Sequence, residues 1–209
     1  MVGVTGGVAS GKSTLVALLR AAGGPGTVVI DADTLGHAIL ARPAIARALA
    51  QAFGADILDP ATGHVLRDVL SPRAFADDAT LARLDAIVRP PLIIELDRIL
   101  AAHAATEATA GRLVVLDAAL LVEWDAGDRC DEVIAVIAQP ETQVERLVRT
   151  RGKSAEEAGA IVARQLPAAA RAAYADHVIE NDGTMEEFLE RSRAEAAAVS
   201  ARAAAGARE

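Results

Sequence analysis

A short β-branched run, Val2-Gly3-Val4-Thr5, stops at Gly6-Gly7, and past Ser10-Gly11-Lys12-Ser13-Thr14 the pattern turns helical, with Leu15, Leu18 and Leu19 at helical spacing. This change of period across a glycine loop constrains the chain more than any other feature in it. Gly6 to Ser13 fits G-x-x-x-x-G-K-[ST], a motif that carries meaning where a strand precedes it and a helix follows. Gly6 and Gly11 let the backbone take positive φ and approach a phosphate closely. The loop N–H groups and the helix N-terminus then form an anion cradle. Lys12 reaches the terminal phosphates as a point charge, and the Ser13 hydroxyl is placed to ligate Mg²⁺.

Of 21 basic residues, only Lys12 and Lys153 are lysines. A planar guanidinium does not substitute for an ammonium in a tight loop, so Lys12 sharpens the motif. A bound nucleoside triphosphate is the expectation. The net charge of −8 argues against a nucleic-acid partner or an anionic membrane, because attraction to a diffuse polyanion needs a basic surface. A nucleotide needs only a few cations in one place. Cys130 is the single cysteine, and the histidines are scattered, so neither an internal disulfide nor a zinc cluster is expected. No apolar run reaches the ~20 residues of a membrane span. No charged segment leads into an apolar one at the start of the chain, and a cytoplasmic setting is expected.

After the turn Gly23-Gly24-Pro25-Gly26, Val28-Val29-Ile30 reads as a second strand ending in Asp31-Ala32-Asp33. Residues 113–116 and 133–137 are apolar runs of the kind found in central parallel strands, and Val178-Ile179 is a short last strand. Between the second and third strands, helices are expected over 34–41, 43–53, 77–88 and 91–104, punctuated by Pro43, Pro60, Pro72 and Pro90-Pro91. Further helices are expected over 140–150, 155–165 and 184–205, with a mobile stretch near 150–175 and fraying beyond Ser200. Short apolar strands alternating with helices predict an α/β domain whose parallel sheet is covered on both faces. It spans residues 1–200, with a helical insertion over 34–104 and an Ala/Arg-rich tail over 201–209.

Phosphate loops serve kinases, GTPases and motor ATPases, so the loop alone names no reaction. A guanine-reading Asn-Lys-x-Asp motif is missing, because the single asparagine sits in Ile179-Glu180-Asn181-Asp182-Gly183. The domain size, the insertion and an Arg-rich late segment point to a small-molecule kinase. Another small-metabolite kinase and a non-catalytic nucleotide switch are the alternatives. Asp33 stands at the carboxyl edge where ligands bind in open parallel sheets. It is either a base for an attacking hydroxyl or a cap for the helix beginning near Thr34. Asp117, after an apolar strand, either reaches Mg²⁺ or caps. Arg146, Arg149, Arg151 and Lys153 form either a lid over the γ-phosphate or a solvated helix face in which Glu145 pairs with Arg149. Because Arg151 and Lys153 fall beyond the expected helix end, the lid is favoured.

These segments together resemble the dephospho-CoA kinase family, from Val2 to about Glu190. The resemblance rests on Thr5-Gly6-Gly7 leading into Ser10-Gly11-Lys12-Ser13-Thr14, on Ile30-Asp31-Ala32-Asp33, Phe53-Gly54, and Gly63 with Arg67. It continues through Asp117, Leu120-Leu121-Val122-Glu123, Gln165 and Ala175-Asp176-His177-Val178-Ile179-Glu180-Asn181-Asp182-Gly183. It implies a P-loop NTPase fold of the nucleoside-monophosphate-kinase type: three layers, a five-stranded parallel sheet, an acceptor-binding insertion over 34–104 and a lid over 146–156. It also implies transfer from ATP, with Mg²⁺, to the ribose 3′-hydroxyl of dephospho-CoA. A monomer or weak homo-oligomer is expected. Gly6, Ala9, Ser10, Gly11, Lys12, Ser13 and Thr14 would bind the nucleotide, with Asn181 near its adenine. Asp33 would be the base and, with Arg67, Arg89, Leu120 and Glu123, would meet the acceptor. Lys12, Arg149 and Arg151 would serve the transferred phosphoryl group, and Ser13 and Asp117 the metal. The chain departs from the family at Arg89-Pro90 (usually His-Pro), at Ala119 (usually Pro), at Thr150 (the usual lid arginine) and at Ala9 (usually Gly).

Overall fold

In the computed structural model, which describes residues 1–104 and 112–206, five strands form one parallel sheet: β1 (Val2–Gly6), β2 (Val28–Asp31), β3 (Val114–Asp117), β4 (Glu132–Ile137) and β5 (His177–Glu180). Their order is β2-β3-β1-β4-β5. β1 lies between two neighbours, with Val2 opposite Val115 on one side and Glu132 on the other. All five of its residues are buried, as expected of a strand covered on both faces. On the far side of β3, Asp31 and Asp117 stand in register, so two carboxylates mark the carboxyl ends of adjacent strands.

Alternation along β1 divides the core. Val2 and Val4 join Val115, Ile134, Val136 and Ile179 beneath helices α1 (Lys12–Ala22) and α9 (Met185–Gly206), which contribute Leu15, Val16, Leu19, Phe188, Ala196 and Val199. Thr5 points to the opposite face. There Arg171 of helix α8 (Ala168–Tyr174) reaches its hydroxyl. Helices α6 (Pro140–Arg151) and α7 (Ala155–Ala163) pack on each other between β4 and α8 in the chain.

The chain divides into two units, Met1–Ala32 with Ala108–Glu209, and Asp33–Glu107. The second is helical, carrying α2 (Ala32–Leu40), α3 (Pro43–Phe53), α4 (Arg67–Ala74) and α5 (Asp78–Ala104). Its core gathers Leu49, Phe53, Ile57, Leu70 and Ala74, with Leu84, Ile87 and Val88 packed against it. Arg73 fastens it from the rim, donating to the Phe53 carbonyl at 2.8 Å and to Asp56 at 2.7 Å.

The fold is the expected α/β type, with four differences in detail. The expected break at Pro90-Pro91 is absent: α5 runs unbroken from Asp78 to Ala104. Proline removes one N–H per residue, yet its φ is already helical. Ile87 and Val88 before the pair pack on the second unit's core, while Leu92 and Leu96 after it are each 1% exposed, so burial on both sides holds the helix together. α4 forms around Pro72, and an isolated bridge joins Leu58 to Val65 where no strand-like run was expected. Within the stretch near 150–175, α7 falls where a helix was expected, whereas α8 forms where none was. α9 runs from Met185 to Gly206, close to the expected 184–205, and the last part of the expected tail, 207–209, lies outside the described residues. Among the described residues, no helix is long and apolar enough to cross a membrane.

Candidate active site

The loop after β1 returns on itself through two left-handed residues, Ala9 at φ +56° and Gly11 at φ +105°. Gly11 has no substitute: a Cβ there would lie 2.5 Å from the Asn181 amide nitrogen and 2.8 Å from the Phe188 ring. Ala9 is not glycine, and a β-carbon in the left-handed region costs about 1–2 kcal/mol. Ser10 closes the turn by donating its N–H to the Gly7 carbonyl at 3.2 Å. Thr14 and Leu15 then begin α1 by donating to the Gly11 carbonyl. The N–H groups of Lys12 and Ser13 precede the first intrahelical bond, which makes them donors for an anion. Of the predicted nucleotide-binding residues, Gly6 and Ser10 are buried, Ala9, Gly11, Lys12 and Thr14 half-buried, and Ser13 exposed.

Residues far along the chain hold this turn from outside. The Val8 N–H donates to Gln165 Oε1 at 2.8 Å. The Asn181 side chain donates to the Ser10 carbonyl at 2.7 Å. Arg146 donates to the Ala9 carbonyl at 3.2 Å, to the Asn181 carbonyl at 2.8 Å and to its Oδ1 at 3.1 Å. Asn181 is 2% exposed, with Nδ2 donating to the loop and Oδ1 accepting from Arg146. Asn181, expected near the adenine, thus has both ends of its side-chain amide engaged within the fold, one of them by the phosphate loop. Arg146, expected in a lid, belongs to the same bracket.

Lys12 Nζ is ion-paired with Asp117 Oδ1, both side chains being largely buried. The lysine expected at the phosphates and the carboxylate expected at the metal are thus neighbours. Asp33 is exposed in the first turn of α2, just beyond Asp31 at the end of β2. In the second unit Arg67 is exposed at the start of α4, and Arg89 is half-buried in α5. One turn before it lies Asp85, whose carboxyl is pushed above its ordinary value by burial, the Arg89 charge opposing that shift.

Sequence reasoning missed Arg171. Its side chain is 3% exposed and makes an ion pair with Glu123 at 2.6 Å. It also donates to the Thr5 hydroxyl at 3.0 Å and to the Ala119 carbonyl at 2.6 Å. One guanidinium therefore ties α8 to the end of β1 and to the turn after β3. Glu123, expected at the acceptor, is the counter-ion of this tie. Leu120 is 39% exposed in the same turn. A lone arginine in an alanine-rich helix carries no spacing signal that could have singled it out.

The basic cluster also differs from expectation. α6 extends through Arg151, so that residue is exposed in a last helical turn and does not lie beyond the helix end. Arg149 pairs with Glu145 at 3.3 Å, the solvated i,i+4 arrangement. Gly152 caps α6 at φ +62°, and Ser154 with Glu157 forms a reciprocal capping box for α7. Of the four basic residues, Lys153 alone stands between the two helices.

A model of the dephospho-CoA kinase family matches residues 1–187. A dephospho-CoA kinase of Streptomyces avermitilis is 42% identical over 192 residues, 91% of this chain and 89% of the relative. One of Anaeromyxobacter dehalogenans is 41% identical over 189 residues, 89% and 85% of the two chains. Among solved structures, TT1252 from Thermus thermophilus is similar with a TM-score of 0.74 and 32% identity over 94% of this chain and 95% of that one. The dephospho-CoA kinase from Campylobacter jejuni shares the fold, with a TM-score of 0.57 and 20% identity over 95% and 96%. With a strand-loop-helix phosphate cradle whose lysine meets a strand-end aspartate, and relatives of this identity along nearly its whole length, the chain belongs to the dephospho-CoA kinase family.

Proposed function

We propose that the chain phosphorylates the ribose 3′-hydroxyl of dephospho-CoA with ATP, giving coenzyme A and ADP. The observation that carries this reading is the phosphate loop, with Lys12 beside Asp117 at the carboxyl end of the sheet, in a chain matched by the family model over residues 1–187. The bond formed joins the 3′-oxygen to the γ-phosphorus, and the bond broken lies between that phosphorus and the β–γ bridging oxygen. The hydroxyl proton passes to Asp33, and ADP leaves.

Such a transfer depends on positioning and on stabilising developing charge. Lys12 and the N–H groups of Lys12 and Ser13 stabilise negative charge on the phosphates. Asp33 orients the acceptor hydroxyl. Arg67, Arg89 and Leu120 contact the acceptor. Arg149 and Arg151 supply lid charge only by exchanging their solvated positions for the nucleotide. The Ser13 hydroxyl and the Asp117 carboxylate are hard oxygen donors of the kind Mg²⁺ takes, and would hold it. When bound, that ion supplies charge neutralisation at the phosphates. A cytoplasmic setting and a monomer or weak homo-oligomer complete the reading.

The test is ADP release measured against a panel of acceptors. Rapid release with dephospho-CoA, and not with nucleosides or nucleoside monophosphates, supports the reading. ATP binding without acceptor-dependent release would overturn it in favour of a nucleotide switch.

A further inference from the structure

Arg146 and Asn181 come from opposite ends of the second half of the fold, one inside α6 and the other just past β5, and they converge on two consecutive carbonyls of the phosphate loop. Resting on the nucleotide reading of that loop, we propose that the pair are positioning residues that set the direction of its N–H groups and do not read the nucleotide base.

In a planar trans peptide, C=O and N–H point to opposite sides. The described chain has no cis bond. Fixing the Ser10 carbonyl on Asn181 Nδ2 at 2.7 Å therefore turns the Gly11 N–H the other way, away from the Asn181 side of the loop. Fixing the Ala9 carbonyl on Arg146 at 3.2 Å orients the Ser10 N–H in the same manner, and that group closes the turn onto Gly7. Ala9 is the residue that most needs holding, since its φ of +56° is unfavourable for a side chain with a β-carbon.

The two braces are themselves joined. Arg146 donates to both the carbonyl and Oδ1 of Asn181, at 2.8 and 3.1 Å, which fixes which end of the amide faces Ser10. Asn181 is anchored in turn, its N–H donating to the Ile137 carbonyl at 2.8 Å. A forked, five-donor guanidinium suits this arrangement, because one head must reach two backbone carbonyls and an amide oxygen at fixed angles. An asparagine reading adenine would need its amide open. This one is 2% exposed and engaged at both ends.

The two roles separate by ligand. Calorimetric affinities for ATP, adenosine and inorganic triphosphate, and the ATP:GTP preference, are measured for the unaltered chain, Arg146→Gln, Arg146→Lys and Asn181→Ala. Loss of a charge-assisted bond predicts a weakening on the order of tenfold or more. It should fall equally on ATP and on inorganic triphosphate, with adenosine affinity and the ATP:GTP ratio unchanged. Arg146→Lys should weaken binding as Arg146→Gln does, since an ammonium lacks the fork. Arg146 is half-buried, so Arg146→Gln should fold; if a thermal scan shows that it does not, Arg146→Lys carries the same comparison. Loss of adenosine affinity, loss of the ATP:GTP preference, or unchanged triphosphate binding would overturn the proposal. Wild-type binding in Arg146→Lys would also overturn it, making Arg146 a direct phosphate ligand. If the unaltered chain itself binds neither ATP nor triphosphate, the nucleotide reading fails first and this proposal with it.

Discussion

Lys12 in the phosphate loop and Asp117 at the end of β3 form an ion pair whose side chains are 14% and 16% exposed. In the proposed reaction the carboxylate would keep the ammonium fixed until a phosphate offers more negative charge, and the ammonium keeps a buried carboxylate from standing alone. Lys12→Ala should lower kcat by roughly 10²–10³, the usual cost of removing one preorganised donor from a transition state. Lys12→Arg should not restore it, because the planar guanidinium is too large for the loop. Steady-state kinetics at saturating acceptor check both, and near-normal turnover in Lys12→Arg would contradict the point-charge role.

Asp33→Asn tests the proposed base. It keeps shape and removes only the capacity to accept a proton, so kcat should fall by about 10²–10⁴ with ATP affinity unchanged. A first-turn carboxylate also favours a helix N-terminus, but that effect amounts to about 0.3–1 kcal/mol and would appear in Tm, not in kcat. Surviving turnover would leave Asp33 as a helix-end acid only.

Arg171 and Glu123 form an ion pair in which the arginine side chain is 3% exposed and the glutamate side chain 25%. Removing one partner of such a pair costs roughly 3–5 kcal/mol. Arg171→Met should therefore lower Tm by about 6 °C or more for a chain of this length. Glu123→Gln should lower Tm less while leaving the KM for the acceptor unchanged. A raised acceptor KM at normal Tm would return Glu123 to the acceptor site.

Cys130 is a pH-dependent element of stability. Burial penalises its thiolate and pushes the thiol up to about 11. The charge on neither state changes below the ordinary thiol value near 9, so stability there is indifferent to this group. Between 9 and 11 the unfolded chain releases the proton and the folded one retains it, so stability falls as pH rises. Alkylation by iodoacetamide at pH 8 should accordingly be slow in the folded protein and fast in denaturant. Native labelling at the denatured rate would contradict the burial account.

Much of the fold was legible because its strands are central and parallel. β1, β3 and β4 are buried on both faces, so they read as apolar runs ended by glycine, aspartate or a turn, and the loop after β1 declares its own chemistry. What was not legible is what links distant residues. Arg171 meets Thr5 across 166 positions and Glu123 across 48, and no local periodicity encodes either meeting. Asn181 was singled out by its rarity, but its direction depends on Arg146 and Ser10, which only the folded chain brings to it. The Pro90-Pro91 pair misled for a related reason: the local cost of proline was visible, and the burial on either side that outweighs it was not.

The central claim is a phosphoryl transfer to one particular oxygen. Phosphorus NMR of the product formed from ATP and dephospho-CoA tests it most directly, because a new ribose phosphomonoester is distinguishable from a lengthened phosphate chain or free phosphate. A single new resonance is expected, coupled to the 3′ proton of the ribose and growing in step with ADP. Free phosphate as the product, or a phosphoryl group on any other position, would contradict it.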